Sequence, residues 1–470
     1  MGTGMTIEPN DAAAVQVEPL AVHTPPAPGH LLKVLGLAFG LAVLVGNTIG
    51  MGILRTPGEV AALVPSVPLF MAVWVGGALY ALLGALTVSE LAAMRPRSGG
   101  LYPLVQHGLG RYPGFVVGWT DWLATCGSIA AVAIVLGEYL APLVPALVGH
   151  EKLTASAVVI AFGLLQWRGI KVGDAAQQAT SLVKAVALVG LAVVALLMSS
   201  GTNGSGAVAA PSAALLVPSG IALAGALIIS LQSAIFTYDG WTGPVYFSEE
   251  LRNPARDIPR TMIGGVLLVM GIYLLLNAAF LSVIPLQEMA GDPFVAATAA
   301  LRLFGPIGET VLRVVMIISL VATVNAILLM ASRVPFAMSR DHLLPAALAR
   351  VNRGGTPVVA LWASVALALV LIASNTFSTV LAMLAFLFVV NYALTFSTVF
   401  VLRRRQPDAP RPFRVPGYPW VPGLALAGSL AFIVAALMGD LRNSLVAVAL
   451  VALSWPAYRL LRRHSSEGAG

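Results

Sequence analysis

The chain has 470 residues, of which 58% are hydrophobic and only 10% are charged. Soluble domains carry about a quarter charged residues, so this composition excludes a soluble enzyme or binding domain and indicates an integral membrane protein. The net charge of +7 would suit a nucleic-acid partner, but the positive residues follow the membrane topology described below, and no nucleic-acid binding is expected.

The first thirty residues are rich in alanine, proline and acidic residues. They lack the basic-then-apolar order of a cleavable signal peptide, and we predict a disordered cytoplasmic tail over residues 1–30. After this tail, runs of about 20 mostly apolar residues, the length that crosses a bilayer, recur along the chain. We predict twelve membrane-spanning helices, at residues 32–62, 67–93, 114–146, 154–167, 174–198, 218–250, 261–285, 308–338, 357–373, 377–402, 418–438 and 442–461.

Most lysines and arginines between these spans fall on the same side as the N-terminus. This positive-inside bias predicts a multi-pass protein of the cell inner (plasma) membrane with both termini in the cytoplasm. The single cysteine, Cys126, lies in the third span and can form no intramolecular disulfide. All six histidines lie outside the predicted spans, so we expect no intramembrane metal or haem site and no cofactor.

The first and the sixth predicted helices are interrupted in the same way. The first contains GNTIGMG over residues 46–52, and the sixth contains TYDGWTGP over residues 237–244. Glycine costs about 1 kcal/mol relative to alanine inside a helix, and Pro244 cannot donate a backbone hydrogen bond. Breaks leave backbone groups unpaired at membrane depth unless a ligand, ion or water binds them. Close helix packing is the alternative reason for the glycines, but it does not explain Pro244 or Asp239.

The two interruptions occupy matching positions in the chain. Helix one opens a group of five spans at residues 31–198, and helix six opens a second group at residues 218–403. Because five is odd, the second group enters the membrane from the opposite side, which predicts an inverted repeat. Residues 418–463 add two peripheral helices. Interrupted helices at matching positions are the best sequence indication of a transporter's substrate site.

Four stretches resemble one known family of membrane proteins. They are GNTIGMGILRTPG at 46–58, SELAAMRPRSGGLYPLVQHGLG at 89–110, FTYDGWTGPVYFSEELRNPARDIPR at 236–260 and SRDHLLPAALARVNRGGTPVVAL at 339–361. The chain resembles the amino acid-polyamine-organocation (APC) superfamily of permeases, and most of all its L-type amino acid transporter branch. The resemblance implies an all-α fold of two inverted five-helix repeats with broken helices 1 and 6, and alternating access around a midplane site.

The resemblance also implies roles for residues at the two breaks. The carboxylate of an amino acid would bind the backbone amides of Gly50, Met51, Gly52 and Ile53. Its ammonium group would bind the carbonyls of Thr48, Phe236 and Asp239, with Phe236 also closing over the substrate. The properties of helix ends independently favour this mode of amino acid binding, because free N–H groups attract anions and free C=O groups attract cations. The predicted site is completed by Ile49, Thr237, Gly240 and Trp241.

Met51 departs from the family pattern, which often has serine or threonine there. The backbone alone must then hold a carboxylate, so an amine substrate stays an alternative.

Other polar residues of the predicted helices suggest a pocket and a gate. Ser128, with its neighbours Thr125 and Cys126, and Asn325 would line the side-chain end of the pocket, although small polar residues also serve helix contacts. Asp239 is expected to cap the second half of helix six, and binding of an ion or an ammonium group is the alternative. Asp121 and Glu138 are expected near the two ends of helix three. A final set is expected at the cytoplasmic side. Glu249 and Glu250 pair with arginines, and Arg403, Arg404 and Arg405 form an orientation signal that could also contact anionic lipid heads.

Lys184 lies within the apolar fifth span. A charge at the centre of a membrane helix costs about 2.5–3.5 kcal/mol, so it is treated as functional. The resemblance implies that Lys184 takes the place of a sodium ion in related transporters, as a titrating group or as a fixed cation. The alternative is a lysine whose side chain reaches the cytoplasmic surface.

These features predict a secondary active transporter of neutral amino acids that is sodium-independent and works by proton coupling or by exchange. Its partners would be the amino acid, a proton or counter-substrate, and membrane lipid. No G-x-x-x-x-G-K-[ST] motif occurs, which disfavours transport driven by ATP. The alternatives are an amine or polyamine transporter of the same fold and a non-transporting nutrient sensor. No intramembrane catalytic constellation is recognised, so an enzyme is not expected.

Overall fold

The computed structural model describes residues 33, 35–50, 52–141, 143–201, 218–292, 294–374, 377–439 and 441–467. The predicted tail at residues 1–30 lies outside this part of the chain, as does Met51 of the predicted site. Isolated bridges such as Leu35 with Leu251 are the only β-structure in the described ranges.

The described residues form sixteen α-helices and three short 3₁₀ helices. The α-helices are α1 (Leu37–Thr48), α2 (Gly52–Leu63), α3 (Val67–Met94), α4 (Tyr102–Leu109), α5 (Arg111–Leu140), α6 (Glu151–Trp167), α7 (Ile170–Gly201), α8 (Gly220–Tyr238), α9 (Pro254–Val283), α10 (Leu286–Met289), α11 (Val295–Ala331), α12 (Arg333–Arg340), α13 (Val358–Ser374), α14 (Phe377–Arg405), α15 (Trp420–Gly439) and α16 (Leu441–Glu467). The 3₁₀ helices are Pro145–Leu147, Gly243–Phe247 and Ala346–Ala349.

The long helices are those of a multi-pass membrane protein. In the described part of the chain, nine are long and apolar enough to cross a bilayer, or ten if α1 and α2 count as one bent span. Two further helices fall at predicted spans but are shorter, namely α6 and the apolar α13. Helices suit this setting because they pair all their backbone groups internally.

Helix α11 differs from its prediction. The span was predicted to begin at residue 308, but the helix begins at Val295 and bends at Gly305, whose φ is 66°. Pro306 follows and cannot donate to the preceding turn. The apolar pattern therefore identified only the segment beyond the bend, and the stretch before it was missed.

Helices α15 and α16 lie at the edge of the bundle, against α14, α3 and α5. The α14–α15 connection is fastened by Glu90, which is buried at the end of α3. Glu90 accepts hydrogen bonds from Arg403 at 2.9 and 2.6 Å and from the amide of Val415 at 2.7 Å, and it lies 3.2 Å from Arg411. The prediction that Arg403 contacts lipid heads is thus wrong, because its guanidinium is bound to this carboxylate.

Candidate functional site at the two helix breaks

The first break separates α1 from α2, which meet at an angle of 42°. At the end of α1, hydroxyl groups of other helices donate hydrogen bonds to the backbone carbonyls, in place of the N–H groups of a continuing helix. Tyr273 of α9 donates to the Thr48 carbonyl at 2.7 Å. Thr323 of α11 donates to Gly46 at 2.9 Å, and Ser319 donates to Ile49 at 3.3 Å. The break is therefore supported by α9 and α11, as membrane depth requires.

The second break follows Tyr238, the last residue of α8. Asp239 is extended and donates its N–H to the Phe236 carbonyl at 3.0 Å. Gly240 then has a φ of 115°, in the region that favours glycine. The chain continues as the 3₁₀ helix Gly243–Phe247, which begins with Pro244 near its first turn.

Asp239 does not cap that second half, in contrast to the prediction. Thr242 holds the capping position and makes no side-chain cap bond. The carboxylate of Asp239 instead accepts a hydrogen bond from the hydroxyl of Tyr392 in α14. The left-handed turn at Gly240 separates Asp239 from the start of the 3₁₀ helix, which explains the difference.

The two breaks contact each other directly. A Cβ on Gly240 would stand 2.6 Å from the Asn47 side-chain nitrogen and 2.8 Å from the Thr48 hydroxyl. A Cβ on Gly52 would stand 2.9 Å from Thr237. The Tyr273 hydroxyl, which binds Thr48, also lies 3.1 Å from the Thr237 carbonyl. One tyrosine thus bridges both helix ends, and the glycines allow the close approach.

A small cavity of about 30 Å³ lies beside the breaks. It has space for about one or two water molecules, so an amino acid can enter only if the surrounding helices move. Its walls combine polar and apolar side chains from the two breaks and from α5, α11 and α14, namely Asn47, Thr125, Ser128, Asp239, Thr242, Tyr246, Ile327, Met330 and Phe388.

The predicted site residues fall into three groups. Asp239 and Ser128 line the cavity, and Thr237 and Gly240 form the contact between the breaks. A second group surrounds the first break. Thr48 and Ile49 are buried at the end of α1, and Ile53 is buried in α2. Gly50 and Gly52 lie between them. Because α2 begins at Gly52, the amides of its first turn have no partner within the helix.

The third group lies away from the cavity walls. Trp241 is buried and packs on Tyr392, with ring centroids 5.1 Å apart. Phe236 is half-buried and is not among the residues that line the cavity. Asn325 accepts hydrogen bonds at 3.0 Å from Gln166 of α6, through both its backbone and its side-chain oxygen. These bonds place Asn325 at the α6–α11 contact, which corrects its assignment to the pocket.

Asp121 is a buried acid that the sequence analysis placed near a helix end. It lies in the interior of α5 and is 1% exposed. Tyr246, which lines the cavity, donates its hydroxyl to the carboxylate, 2.8 Å from either oxygen. Within the described ranges, neither Asp121 nor Asp239 belongs to an ion pair. Two carboxyl groups without a basic partner there thus flank the cavity wall.

Lys184, the predicted coupling residue, lies within α7, but its side chain is outside the part of the chain that the structure describes. The neighbouring Ser181 donates a hydrogen bond to the Ala42 carbonyl of α1 at 2.8 Å. Ser181 and Leu188 are buried. Position 184 is three residues after Ser181 and four residues before Leu188, so the three positions follow one another along the same side of an α-helix.

Two ion pairs and a backbone hydrogen bond join separate elements at the predicted cytoplasmic gate, which we call the inner gate. Arg333 binds Glu250 through two nitrogens at 3.0 and 3.1 Å, and both side chains are buried. Arg340 binds Glu249 at 2.6 and 2.7 Å. The expectation that these glutamates meet arginines is confirmed. Leu35 completes the gate, because its N–H donates to the Glu250 carbonyl at 3.0 Å.

Ion pairs of a different kind occur on the opposite side. Arg55 and Glu59 at 3.4 Å, and Arg313 and Glu309 at 2.7 Å, join residues four apart on one helix. Such pairs stabilise a single helix by a few tenths of a kcal/mol. Arg302 of α11 also pairs with Glu288 of α10 on this side. All of these side chains are at least 25% exposed, whereas Arg333 and Glu250 are buried.

A family model described as an amino acid permease matches residues 30–453. The chain is 28% identical over 448 residues to the serine/threonine exchanger SteT of Bacillus subtilis, across 93% of this chain and 98% of that protein. It is 26% identical over 401 residues to the human b(0,+)-type amino acid transporter 1, across 83% and 80%. It is 28% identical over 392 residues to the human large neutral amino acids transporter small subunit 2, across 82% and 72%.

Proposed function

Because the chain belongs to the amino acid permease family of membrane transporters, we propose that it carries a neutral amino acid across the inner membrane by alternating access. Its relatives are transporters, and the chain is not an enzyme. Exchange against a second amino acid is the mode that we favour, since one similar protein is named as an exchanger.

The observation that carries this proposal is the contact between the two breaks beside the cavity. The first turn of α2 offers free amides, which suit a carboxylate, and the ends of α1 and α8 offer carbonyls, which suit an ammonium group. Thr48, Gly50, Gly52 and Asp239 thus belong to one site. Met51 stays part of this proposed site.

The cavity walls support a small neutral substrate. Thr125 and Ser128 supply hydroxyl groups, whereas Ile327, Met330 and Phe388 supply apolar surface. A second candidate is a cationic amino acid or an amine, favoured by Asp239 in the wall and by Asp121 behind Tyr246. A carboxylate without a basic partner attracts a positive substrate group in a site that excludes water.

Coupling through Lys184 is a further part of the proposal. Position 184 is one helical turn from Ser181, whose hydroxyl bonds the Ala42 carbonyl of α1. We expect Lys184→Ala to change the rate of transport or its pH dependence, and no sodium requirement is expected. Unchanged kinetics at every pH would contradict a role for Lys184 in coupling.

The proposed architecture has twelve spans. Residues 31–198 and 218–403 form the inverted repeats, and residues 418–463 form the peripheral pair. Both termini lie in the cytoplasm, as does the inner gate. Breaks at matching positions of the two groups support the repeat, and Tyr273 bonds the last residue of α1 and the end of α8.

The test is counterflow in proteoliposomes against a panel of neutral, cationic and anionic amino acids and simple amines, with sodium and pH varied. Saturable exchange of a neutral amino acid without sodium is the expected result. The variant Asp239→Asn separates the two candidates, because it would abolish uptake of a cationic substrate more than that of a neutral one. Glu59→Gln, an exposed acid outside the site, is the control. Absence of exchange with every compound would overturn the proposal.

A further inference from the structure

A groove on the surface of α9 is separate from the transport site. Its volume is about 530 Å³, and it opens to the outside of the helix bundle. One end is formed by Arg256 and Arg260. The other end is formed by Gly264 and Leu267, and Phe413 of the α14–α15 connection forms part of the wall.

The two arginines give the groove a strong positive charge. They lie four residues apart, on the same face of α9, and both are exposed. Neither makes an ion pair or a side-chain hydrogen bond within the described ranges. Two guanidinium groups side by side repel each other unless an anion lies between them.

The rest of the groove is apolar and open. A Cβ on Gly264 would meet no atom within 4 Å, so the surface there is free. Leu267 is 50% exposed, and Leu268 beside it is 48% exposed. Exposed leucines on a helix of this hydropathy are typical of a face that contacts lipid tails.

The length of the groove along α9 would extend from the lipid head groups into the acyl chains of a membrane. At 1.5 Å per residue, Arg256 and Leu267 are about 16 Å apart along α9. The predicted span begins at residue 261, directly after Arg260. The arginines therefore lie at the level of lipid head groups, and Leu267 lies at the level of the acyl chains.

We propose that this groove binds an anionic phospholipid. Its phosphate lies between the guanidinium groups of Arg256 and Arg260, which bind phosphate oxygens in pairs. One acyl chain lies over Gly264 and Leu267 and against Phe413. Negatively charged lipids concentrate at the cytoplasmic leaflet and attract basic residues there.

A lipid at this position would stabilise the transporter through α9. Thr261 of α9 lies against Gly40 of α1, where an added Cβ would come within 2.9 Å, and Gly265 lies equally close to Leu44. The same helix supplies Tyr273 to the two breaks. Fixing the start of α9 at the membrane surface thus supports the packing of the broken helix.

The test measures the thermal stability of the full-length protein in detergent with added phosphatidylglycerol, phosphatidylcholine or inorganic phosphate. Phosphatidylglycerol is expected to raise the melting temperature, and the other two additions are not. The double variant Arg256→Gln/Arg260→Gln should lose at least about half of that rise, because less lipid is bound to the native state. The control, Arg350→Gln/Arg353→Gln, removes the same charge from exposed positions elsewhere and should keep the full rise.

A second variant, Gly264→Leu, fills the apolar end and keeps both arginines. Native mass spectrometry should then find fewer copies of retained phosphatidylglycerol per protein, while the control variant retains as many as the unaltered chain. An equal rise with inorganic phosphate alone, or equal lipid retention in every variant, would overturn the proposal. Lipid binding is measured here without transport, so the result does not depend on the proposed substrate.

Discussion

Tyr273 is the residue on which the two breaks depend. Its hydroxyl group serves the carbonyls of Thr48 and Thr237, at 2.7 and 3.1 Å. A helix that ends inside a membrane must find donors for its last carbonyls, and the Tyr273 hydroxyl of α9 supplies a donor to the end of α1 and to the end of α8. A single hydroxyl therefore sets the distance between the two helix ends.

We expect Tyr273→Phe to impair transport strongly. Each buried acceptor left without a donor costs about 1–3 kcal/mol, so both stability and the alignment of the breaks should suffer. Exchange activity and melting temperature would both be measured. Tyr80→Phe is the matched control, because it removes a buried hydroxyl that bonds Ser429 at 2.8 Å, away from the breaks. Equal effects of the two substitutions would show that Tyr273 has no special role.

The sequence predicted the residues of the breaks themselves but not those that support them. Gly50, Asp239 and Gly240 stand in short motifs, and their residue types alone indicated a break. Tyr273 lies 225 residues from Thr48, and nothing local marks it. Asp121 was misplaced for the same reason, because its partner Tyr246 belongs to another helix.

Helical spacing would have improved one prediction. Asn325 was chosen for the pocket because it is polar. Thr323, which bonds the Gly46 carbonyl, shares its helix face with Ile327 and Met330, at positions four and seven further on. Both of these apolar residues line the cavity. The register of α11 was a better guide to the pocket than polarity.

At the scale of elements, each break requires glycine where the other approaches. Gly240 combines a φ of 115° with a space that the Asn47 side chain already fills. Any other residue at position 240 would have a strained backbone and a side chain that clashes with Asn47.

Gly240→Ala is therefore expected to abolish most transport. The backbone strain alone costs about 1–3 kcal/mol, and the added methyl group would push α1 and α8 apart. Initial rates of exchange would be measured at equal amounts of folded protein. Gly225→Ala in the same helix is the control, since a Cβ there meets no atom within 4 Å. Wild-type rates in Gly240→Ala would contradict the close contact of the breaks.

Long apolar runs predicted the nine or ten helices of the described ranges that can cross a membrane, because a bilayer requires such runs. The total of twelve spans stays a prediction. Short elements were not predicted. Helices α4 and α10 lie in connections without a long apolar run, α12 is a separate helix at the end of the eighth predicted span, and the second half of helix six forms a 3₁₀ helix with turns. These features depend on packing between distant parts of the chain.

At the scale of the whole molecule, we expect the inner gate to hold one side of the protein closed. Arg333 and Glu250 are both buried, so the pair is costly to break. Loss of one partner of a buried pair costs about 3–5 kcal/mol. The pair of Arg340 and Glu249 is only partly buried, with side chains that are 25% and 22% exposed, so its loss is expected to cost less because water can solvate the remaining partner.

We expect Glu250→Gln to open the inner half far more often than Glu249→Gln. A cysteine placed at Thr242, in the cavity wall, would report this in a Cys126→Ala background. With Glu250→Gln, a membrane-impermeant thiol reagent added to inside-out vesicles should label it more than about tenfold faster, the change that 1.4 kcal/mol produces. Glu249→Gln is the matched control, and similar labelling in both variants would argue against a gate at Glu250.

The difference between the ion pairs of the two halves has a kinetic consequence. One half is joined by a buried ion pair, Arg333 with Glu250, whereas the ion pairs described in the opposite half have side chains that are 25–49% exposed. With the buried pair on the cytoplasmic side, as proposed, this difference favours the orientation that receives substrate from outside. Apparent affinity scales with the fraction of molecules in the competent orientation. The substrate concentration that half-saturates exchange should therefore be lower on the outer face than on the inner face. We thus expect an asymmetric exchanger that binds external substrate at low concentration and internal substrate only at higher concentration.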